Sequence, residues 1–209
     1  MFGLLTRLRR YRWYLLGRYK LRREIRNHIN AGRPLKIILG SSITGFKEWL
    51  STDLPHFDIT RQEDWAYLFE EGTIDNLLAE HVFEHLTLSQ AKNALLNIRK
   101  YLKRSGVFRI AVPDGYHFSP EYIDYCRPGG SGPGCDDHKL LWNMDLLNKT
   151  AQECGLKINL LQFYNSNHDF TDSYQDDENG TIGRTYAKMQ INQSTPFAIS
   201  SLIADLRIV

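Results

Sequence analysis

The sequence predicts an open α/β fold with a parallel sheet at its centre, and three observations carry that expectation. Short apolar runs alternate with glycine- and proline-bearing turns. Between two of those runs lies a segment of helical periodicity, which makes a strand–helix–strand crossover of the kind that joins parallel strands. The 209 residues are 42% hydrophobic and 24% charged, enough for one globular domain with an appendage. No run approaches the roughly 18 apolar residues of a membrane-spanning helix. Three cysteines, Cys126, Cys135 and Cys154, are too few and odd in number for a disulfide framework, so a reducing, cytoplasmic setting is expected.

The first element is a basic arm, residues 1–33. It holds ten Lys/Arg against Glu24 alone, a charge of +9. The rest of the chain, 34–209, has 16 bases and 23 acids, or −7. Leu4, Leu8, Tyr11, Leu15 and Tyr19 form one apolar stripe on a helix. From residue 20 the stripe shifts to Leu21, Ile25 and Ile29, which predicts a bend or two short helices, with Gly17 the weak point. Three roles fit such an arm: a peripheral helix on an anionic membrane surface (residues 1–30), a clamp on nucleic-acid phosphates, or a helix docked on the acidic body. The acidic body disfavours RNA as the substrate.

After the turn Ala31–Pro34, Leu35–Leu39 reads as a buried strand that runs into the loop Gly40-Ser41-Ser42-Ile43-Thr44-Gly45. Trp49–Thr52 is the next strand, closed by Asp53, which reads either as a solvated turn residue or as a carboxylate that accepts hydrogen bonds from a ribose diol. The interval between loop and acid is shorter than in dinucleotide-binding domains, which disfavours NAD. Thr73–Ala79 is a third strand, followed by Glu80-His81-Val82-Phe83-Glu84-His85-Leu86 and a helix from Ser89 to Leu102, with His85 as a candidate helix cap. Arg104–Gly106 ends that helix, and Val107–Val112 is a strand closed by Pro113-Asp114-Gly115.

His81–His85 is a literal H-x-x-E-H, the spacing of a zinc peptidase. That chemistry needs both imidazoles on one helix, whereas these follow a strand directly and show no third ligand. No metal site is expected here, and Cys126, Cys135 and His138 make only a weak zinc set.

Residues 127–134, Arg-Pro-Gly-Gly-Ser-Gly-Pro-Gly, are a loop placed where a lid would cover a substrate. Beyond it come a helix over Leu140–Cys154, a strand over Lys157–Phe163 and an exposed acidic loop, Asp169–Asn179. The chain would end in an antiparallel hairpin, Thr185–Ile191 with Phe197–Leu206.

Taken in order, Leu39-Gly40, Trp49–Asp53, Ile74-Asp75, Ala79–Leu86 and Ala111–Gly115 resemble a class I S-adenosylmethionine-dependent methyltransferase. Asp137-His138-Lys139, Gly180–Arg184 and Ser201-Leu202-Ile203 narrow the resemblance to a little-characterised bacterial family of predicted methyltransferases, type 11-like. The resemblance implies a Rossmann-like, seven-stranded, mostly parallel sheet with an antiparallel C-terminal pair, and S-adenosylmethionine as cofactor. It implies that Gly40, Ser41, Ser42 and Gly45 border the methionine part and that Asp53 holds the ribose. Asp58, or Asp64 with Trp65, would border the adenine, and Glu80 and His81 would line the sulfonium side. Ser42 and Thr44 depart from the family's glycine-rich loop. For a hydroxyl acceptor a base is needed, and His81, His117 and His138 are candidates, His117 and His138 foremost, with Asp114 as orienting carboxylate. The acceptor expected by analogy is a saccharide or other small polar molecule, met in surface-polysaccharide or glycolipid assembly at the inner membrane face. The second reading is a catalytically silent module of the same fold that recruits a partner or membrane through its arm.

Overall fold

The computed structural model describes residues 2–42, 45–192 and 201–209, without the side chains of 2–10 and 190–192. Seven strands pair into one sheet: β1 (Lys36–Leu39), β2 (Leu50–Thr52), β3 (Ile74–Glu80), β4 (Leu102–Pro113), β5 (Leu156–Tyr164), β6 (Phe170–Asp172) and β7 (Ser201–Ile208). Their order is β2-β1-β3-β4-β7-β5-β6. The pairs β1–β2, β1–β3 and β3–β4 are parallel; β4–β7, β5–β7 and β5–β6 are antiparallel. Leu39 is level with Thr52 and Ala79, and Glu80 with Ala111, so four carboxyl ends open at one edge. In such sheets that edge is where ligands bind.

The β1 run Ile37-Ile38-Leu39 is buried throughout because both faces of the sheet are covered. On one face Ile37, Leu39, Leu77, Phe108 and Val112 meet α2 (Gln62–Leu68), α3 (Leu88–Tyr101) and, beyond the short α4 (Pro120–Cys126), α5 (Met144–Glu153); Trp65, Leu95, Ile98 and Leu147 of these helices complete the main core. On the other, Ile38, Leu78, Ala111 and Ile203 form a smaller cluster with Ile182, flanked by Phe46, Trp49 and Tyr174. A strap of loop covers that face, held by Arg109. This buried guanidinium donates to both Asp205 oxygens at 2.8 and 2.9 Å, to both Asp177 oxygens at 2.8 and 3.1 Å, and to the Gly180 carbonyl at 2.6 Å.

The structure corrects several expectations. The arm is one uninterrupted helix, α1 (Phe2–Asn30), with no break at Gly17. Gly17 is instead a close-packing position, where an added methyl would collide with the His56 ring. The expected stripe does not dock: Tyr11, Leu15 and Tyr19 are exposed, and the side chains of Leu4 and Leu8 lie outside the described residues. The docked side is Arg18, Leu21, Ile25 and His28. Arg18 reaches Asp64 at 2.7 Å and stacks on Tyr67, while His28 Nε2 meets the Pro34 carbonyl at 2.7 Å. Among the described residues no helix is long and apolar enough to cross a membrane.

Thr87, not His85, caps α3, in a reciprocal capping box with Gln90. β4 begins at Leu102, so Arg104–Gly106 belong to the strand rather than to a break. Of the expected final hairpin only β7 is a strand. Tyr186–Asn192 is a helix, α6, and Phe197–Ser200 lie outside the described residues. β7 is paired with β4 on one side and β5 on the other, so neither of its edges is open to the 186–192 segment.

Candidate functional site

Two adjoining clefts open at the carboxyl ends of the parallel strands. The first, about 330 Å3, is lined by Gly40, Ser42, Asp53, Phe57, Asp58 and His81 among others. β1 ends in Gly40 with φ +59°, and a methyl group there would stand 2.7 Å from a Val82 methyl. Only glycine lets the loop turn so close to the segment after β3. Asp53 leaves β2 with Oδ2 accepting from the Ser42 N–H (2.8 Å) and Oδ1 from the Leu54 N–H (2.7 Å). Each oxygen keeps a lone pair for a ligand hydroxyl. Ser41 is buried, its N–H bonded to the Thr52 carbonyl, and Gly45 is exposed beyond the cleft lining. Ile43 and Thr44 lie outside the described residues.

Several expected site residues are placed elsewhere. Trp65 is fully buried between Phe57, Phe69 and Tyr101, with its indole N–H on the Ile59 carbonyl. Asp64 is buried against Arg18 and accepts the Asp58 N–H at 2.9 Å. Neither lines the cleft, whereas Asp58 does. Glu80 turns away, and its two oxygens accept the N–H groups of Gly183 and Arg184 at 3.0 and 2.8 Å. Asp114 is buried at the end of β4, accepting the N–H groups of Tyr164 and Tyr116; burial pushes its carboxyl up to about 6. His117 is stacked 3.9 Å from the Tyr122 ring with Nδ1 accepting from the Ser119 N–H, and burial takes its imidazole down to about 4. Neither Asp114 nor His117 lines either cleft. A local sequence pattern places a residue at a strand end, but not the direction in which its side chain leaves the strand.

The second cleft, about 370 Å3, shares His81 and His85 with the first and adds Glu84, Cys126, His138 and Arg184. Pro133 and Gly134 of the glycine-rich loop stand on its rim, and that loop is closed on itself by the N–H bonds of Gly130, Ser131 and Gly132 to Arg127, Asp124 and Tyr125 carbonyls. His81 departs from β3 with φ +54°, its Nδ1 3.1 Å from Glu84 Oε1 and its Nε2 2.9 Å from Ser201 Oγ. Ser201, His81 and Glu84 thus have the connectivity of a nucleophile relay, but the serine is buried and so orients the ring rather than meeting substrate. Burial opposes ionisation of Glu84, yet His81, its own backbone N–H and His85 outweigh it and hold the carboxyl below its ordinary range. Glu84 and His85 sit in a single 3-10 turn, Phe83–His85. Their signal in the sequence is the H-x-x-E-H run. The convergence of His138 on them leaves no local trace.

Clefts also lie beside α1, one lined by Arg22, Arg26 and Arg33 and another by Arg23, His28 and Arg33, at the amino ends of the strands and away from their carboxyl ends.

The chain matches no protein-family model and no curated protein. Among solved structures it is similar to a SAM-dependent methyltransferase from Archaeoglobus fulgidus, at 13% identity over 90% of this chain and 92% of that one, with a TM-score of 0.46. A SAM-dependent methyltransferase from Thermotoga maritima matches at 10% identity over 86% of this chain and 73% of that one, with a TM-score of 0.44. Phosphoethanolamine N-methyltransferase 2 from Haemonchus contortus, solved with S-adenosyl-L-methionine, matches at 13% identity over 66% of this chain and 38% of that one, with a TM-score of 0.42. At these identities the likeness concerns the course of the chain.

Proposed function

We propose that this chain transfers the methyl group of S-adenosylmethionine to a hydroxyl of a small polar acceptor, such as a saccharide. The observation that carries the reading is the pair of clefts sharing one wall, His81 and His85, at the carboxyl ends of β1, β2 and β3. One cleft suits the cofactor and the other the acceptor.

The first cleft fits the group on three counts. Gly40 lets the backbone of the loop form the cleft wall against Val82, Asp53 offers acceptor oxygens for a ribose diol, and Leu54, Phe57 and Ile59 provide apolar surface for a base. When bound, S-adenosylmethionine supplies an electrophilic methyl group on a sulfonium. The protein's part is alignment, which can supply about 7–11 kcal/mol of the barrier. His81, with Nδ1 turned to Glu84 and Nε2 2.9 Å from Ser201 Oγ, stands at the shared wall, and it would take the acceptor's hydroxyl proton at Nε2 in exchange for the Ser201 hydrogen bond. His138 lines the acceptor cleft, and Asp114 and His117 have no part there.

The exposed face of α1 supports a site of action at an anionic membrane surface. Tyr11 (60% exposed), Trp13 (57%) and Tyr19 (60%) stand outward beside arginines. The acceptor would then be a lipid-linked or surface saccharide.

Calorimetric titration with S-adenosylmethionine and S-adenosylhomocysteine tests the cofactor reading. Micromolar binding by the wild type, weakened at least tenfold in Asp53→Ala, is expected; a folded wild type that binds neither compound overturns it.

A further inference from the structure

The second cleft is built around a buried carboxylate among imidazoles, and orienting His81 engages only one of its two oxygens. The Glu84 side chain is 1% exposed. His81 Nδ1 approaches Oε1 at 3.1 Å, but among the described residues neither carboxylate oxygen receives a well-aligned side-chain hydrogen bond. Burying such a group costs several kcal/mol unless a cation offsets it.

Two imidazoles are prepared beside it. His138 Nδ1 donates to the Cys126 carbonyl at 2.7 Å, which leaves the Nε2 lone pair unprotonated. That arrangement, one ring nitrogen on a carbonyl and the other free, is how metal-ligating histidines are held. Among the described residues the buried Nδ1 of His85 has no well-aligned hydrogen bond, and its one ion-pair contact is the exposed Asp137, with Oδ2 3.4 Å away. The His85 and His138 rings meet edge to face, 4.8 Å between centroids. The segment that carries His138 is tied to the turn that carries the other two groups, because the N–H groups of Lys139 and Leu140 both donate to the Glu84 carbonyl, at 2.7 and 3.2 Å.

We propose that Glu84, His85 and His138 bind a divalent first-row metal ion, with Zn2+ the ion their ligand set suits best. One ligating atom from each lies within 4.8 Å of the others. Two histidines and one carboxylate form a set that zinc takes in catalytic sites, with a fourth position left open. Ligands at about 2.1 Å from a tetrahedral ion stand about 3.4 Å apart, so the ring atoms must draw in by roughly an ångström. The two histidines, partly exposed, can rotate to do so, while Glu84 is fixed by burial. The cysteine Cys135 in the same cleft is not part of the set, since its thiol donates to the Tyr125 carbonyl at 2.7 Å.

The ion's open position faces the acceptor cleft, and its role there rests on the methyl-transfer reading. It would select acceptors with adjacent oxygens able to chelate, such as a vicinal diol, and would lower the pKa of the hydroxyl to be methylated. The proton released there passes to His81, the new bond is acceptor oxygen to methyl, and the bond broken is sulfur to methyl.

Chelator-stripped full chain titrated with Co2+ should develop visible d–d absorption that saturates at one equivalent, and added Zn2+ should abolish it. Zn2+ alone should raise the melting temperature. His85→Gln and His138→Gln, both at partly exposed positions, should each weaken Co2+ binding at least tenfold with an unchanged circular dichroism spectrum. Cys135→Ser should bind as the wild type does. Absence of the Co2+ band in the folded wild type, or its survival in the His85→Gln/His138→Gln double variant, overturns the site. A parallel titration with S-adenosylhomocysteine separates the two readings: loss of metal with nucleoside binding intact overturns the ion alone, and the reverse overturns methyl transfer alone.

Discussion

His81 Nδ1 lies 3.1 Å from Glu84 Oε1, and the histidine reaches it from a left-handed backbone, φ +54°, at the exit of β3. A non-glycine residue pays for that conformation in steric energy, and a β-branched one most of all. Strain of this kind gathers where the surrounding structure holds a functional group in place. Here it turns the ring back over the sheet end, into the wall between the two clefts.

That strain has a stability signature separable from chemistry. Asparagine tolerates the left-handed region and valine does not. His81→Val is therefore expected to be about 1–2 kcal/mol less stable than His81→Asn, read from urea unfolding midpoints. Equal midpoints would mean that the backbone relaxes and the turn stores no strain.

A second expectation concerns the thinly covered face of the sheet. Arg109 and Asp205 face each other across β4 and β7, and Asp177 of the strap completes the cluster. Arg109→Met leaves Asp205 buried without its cation and should cost about 3–5 kcal/mol. Arg109→Lys cannot reproduce the forked donors and should fall between wild type and Arg109→Met. Adding Asp205→Asn to Arg109→Met should recover a large part of the loss. A double variant no more stable than the single would show that strap packing, and not charge, sets the cost.

The third expectation is a pair of opposed pH dependences in one aromatic cluster. His117 titrates at 6.5 when unfolded and about 4 when folded, so its contribution is full above pH 6.5 and lost as pH falls towards 4. Asp114 moves from 3.8 to about 6, so its contribution is full below pH 3.8 and lost as pH rises to 6. The neighbouring phenols stay neutral throughout, Tyr164 pushed up to about 12 and Tyr122 well above its ordinary value. Relative to wild type, the stability of His117→Phe should fall as pH rises from 4 to 6.5, and that of Asp114→Asn should rise. Parallel curves for all three proteins would remove both groups from the pH response.

Local chemistry alone determined much of the frame. Apolar runs bounded by Gly40, Asp53, Glu80 and Pro113 marked four strand ends, and Ala91, Ala94, Leu95 and Ile98 marked the buried face of α3, because such signals depend on spacing along the chain. The first cleft was legible for the same reason: Gly40, Ser42 and Asp53 belong to adjacent strand ends, and parallel pairing brings them together. Tertiary structure decided the rest. Asp64 and Trp65 look like a binding pair in sequence, but Arg18 of α1 neutralises one and the core takes the other. The 186–192 segment is a helix rather than the hairpin partner of β7, whose two edges are taken by β4 and β5. Glu84 and His85 were visible as a motif, whereas the third imidazole arrives from His138 through two backbone bonds to the Glu84 carbonyl. Periodicity reports which side of an element is apolar. Which distant segments converge on a buried charge is set by the packing of the whole chain.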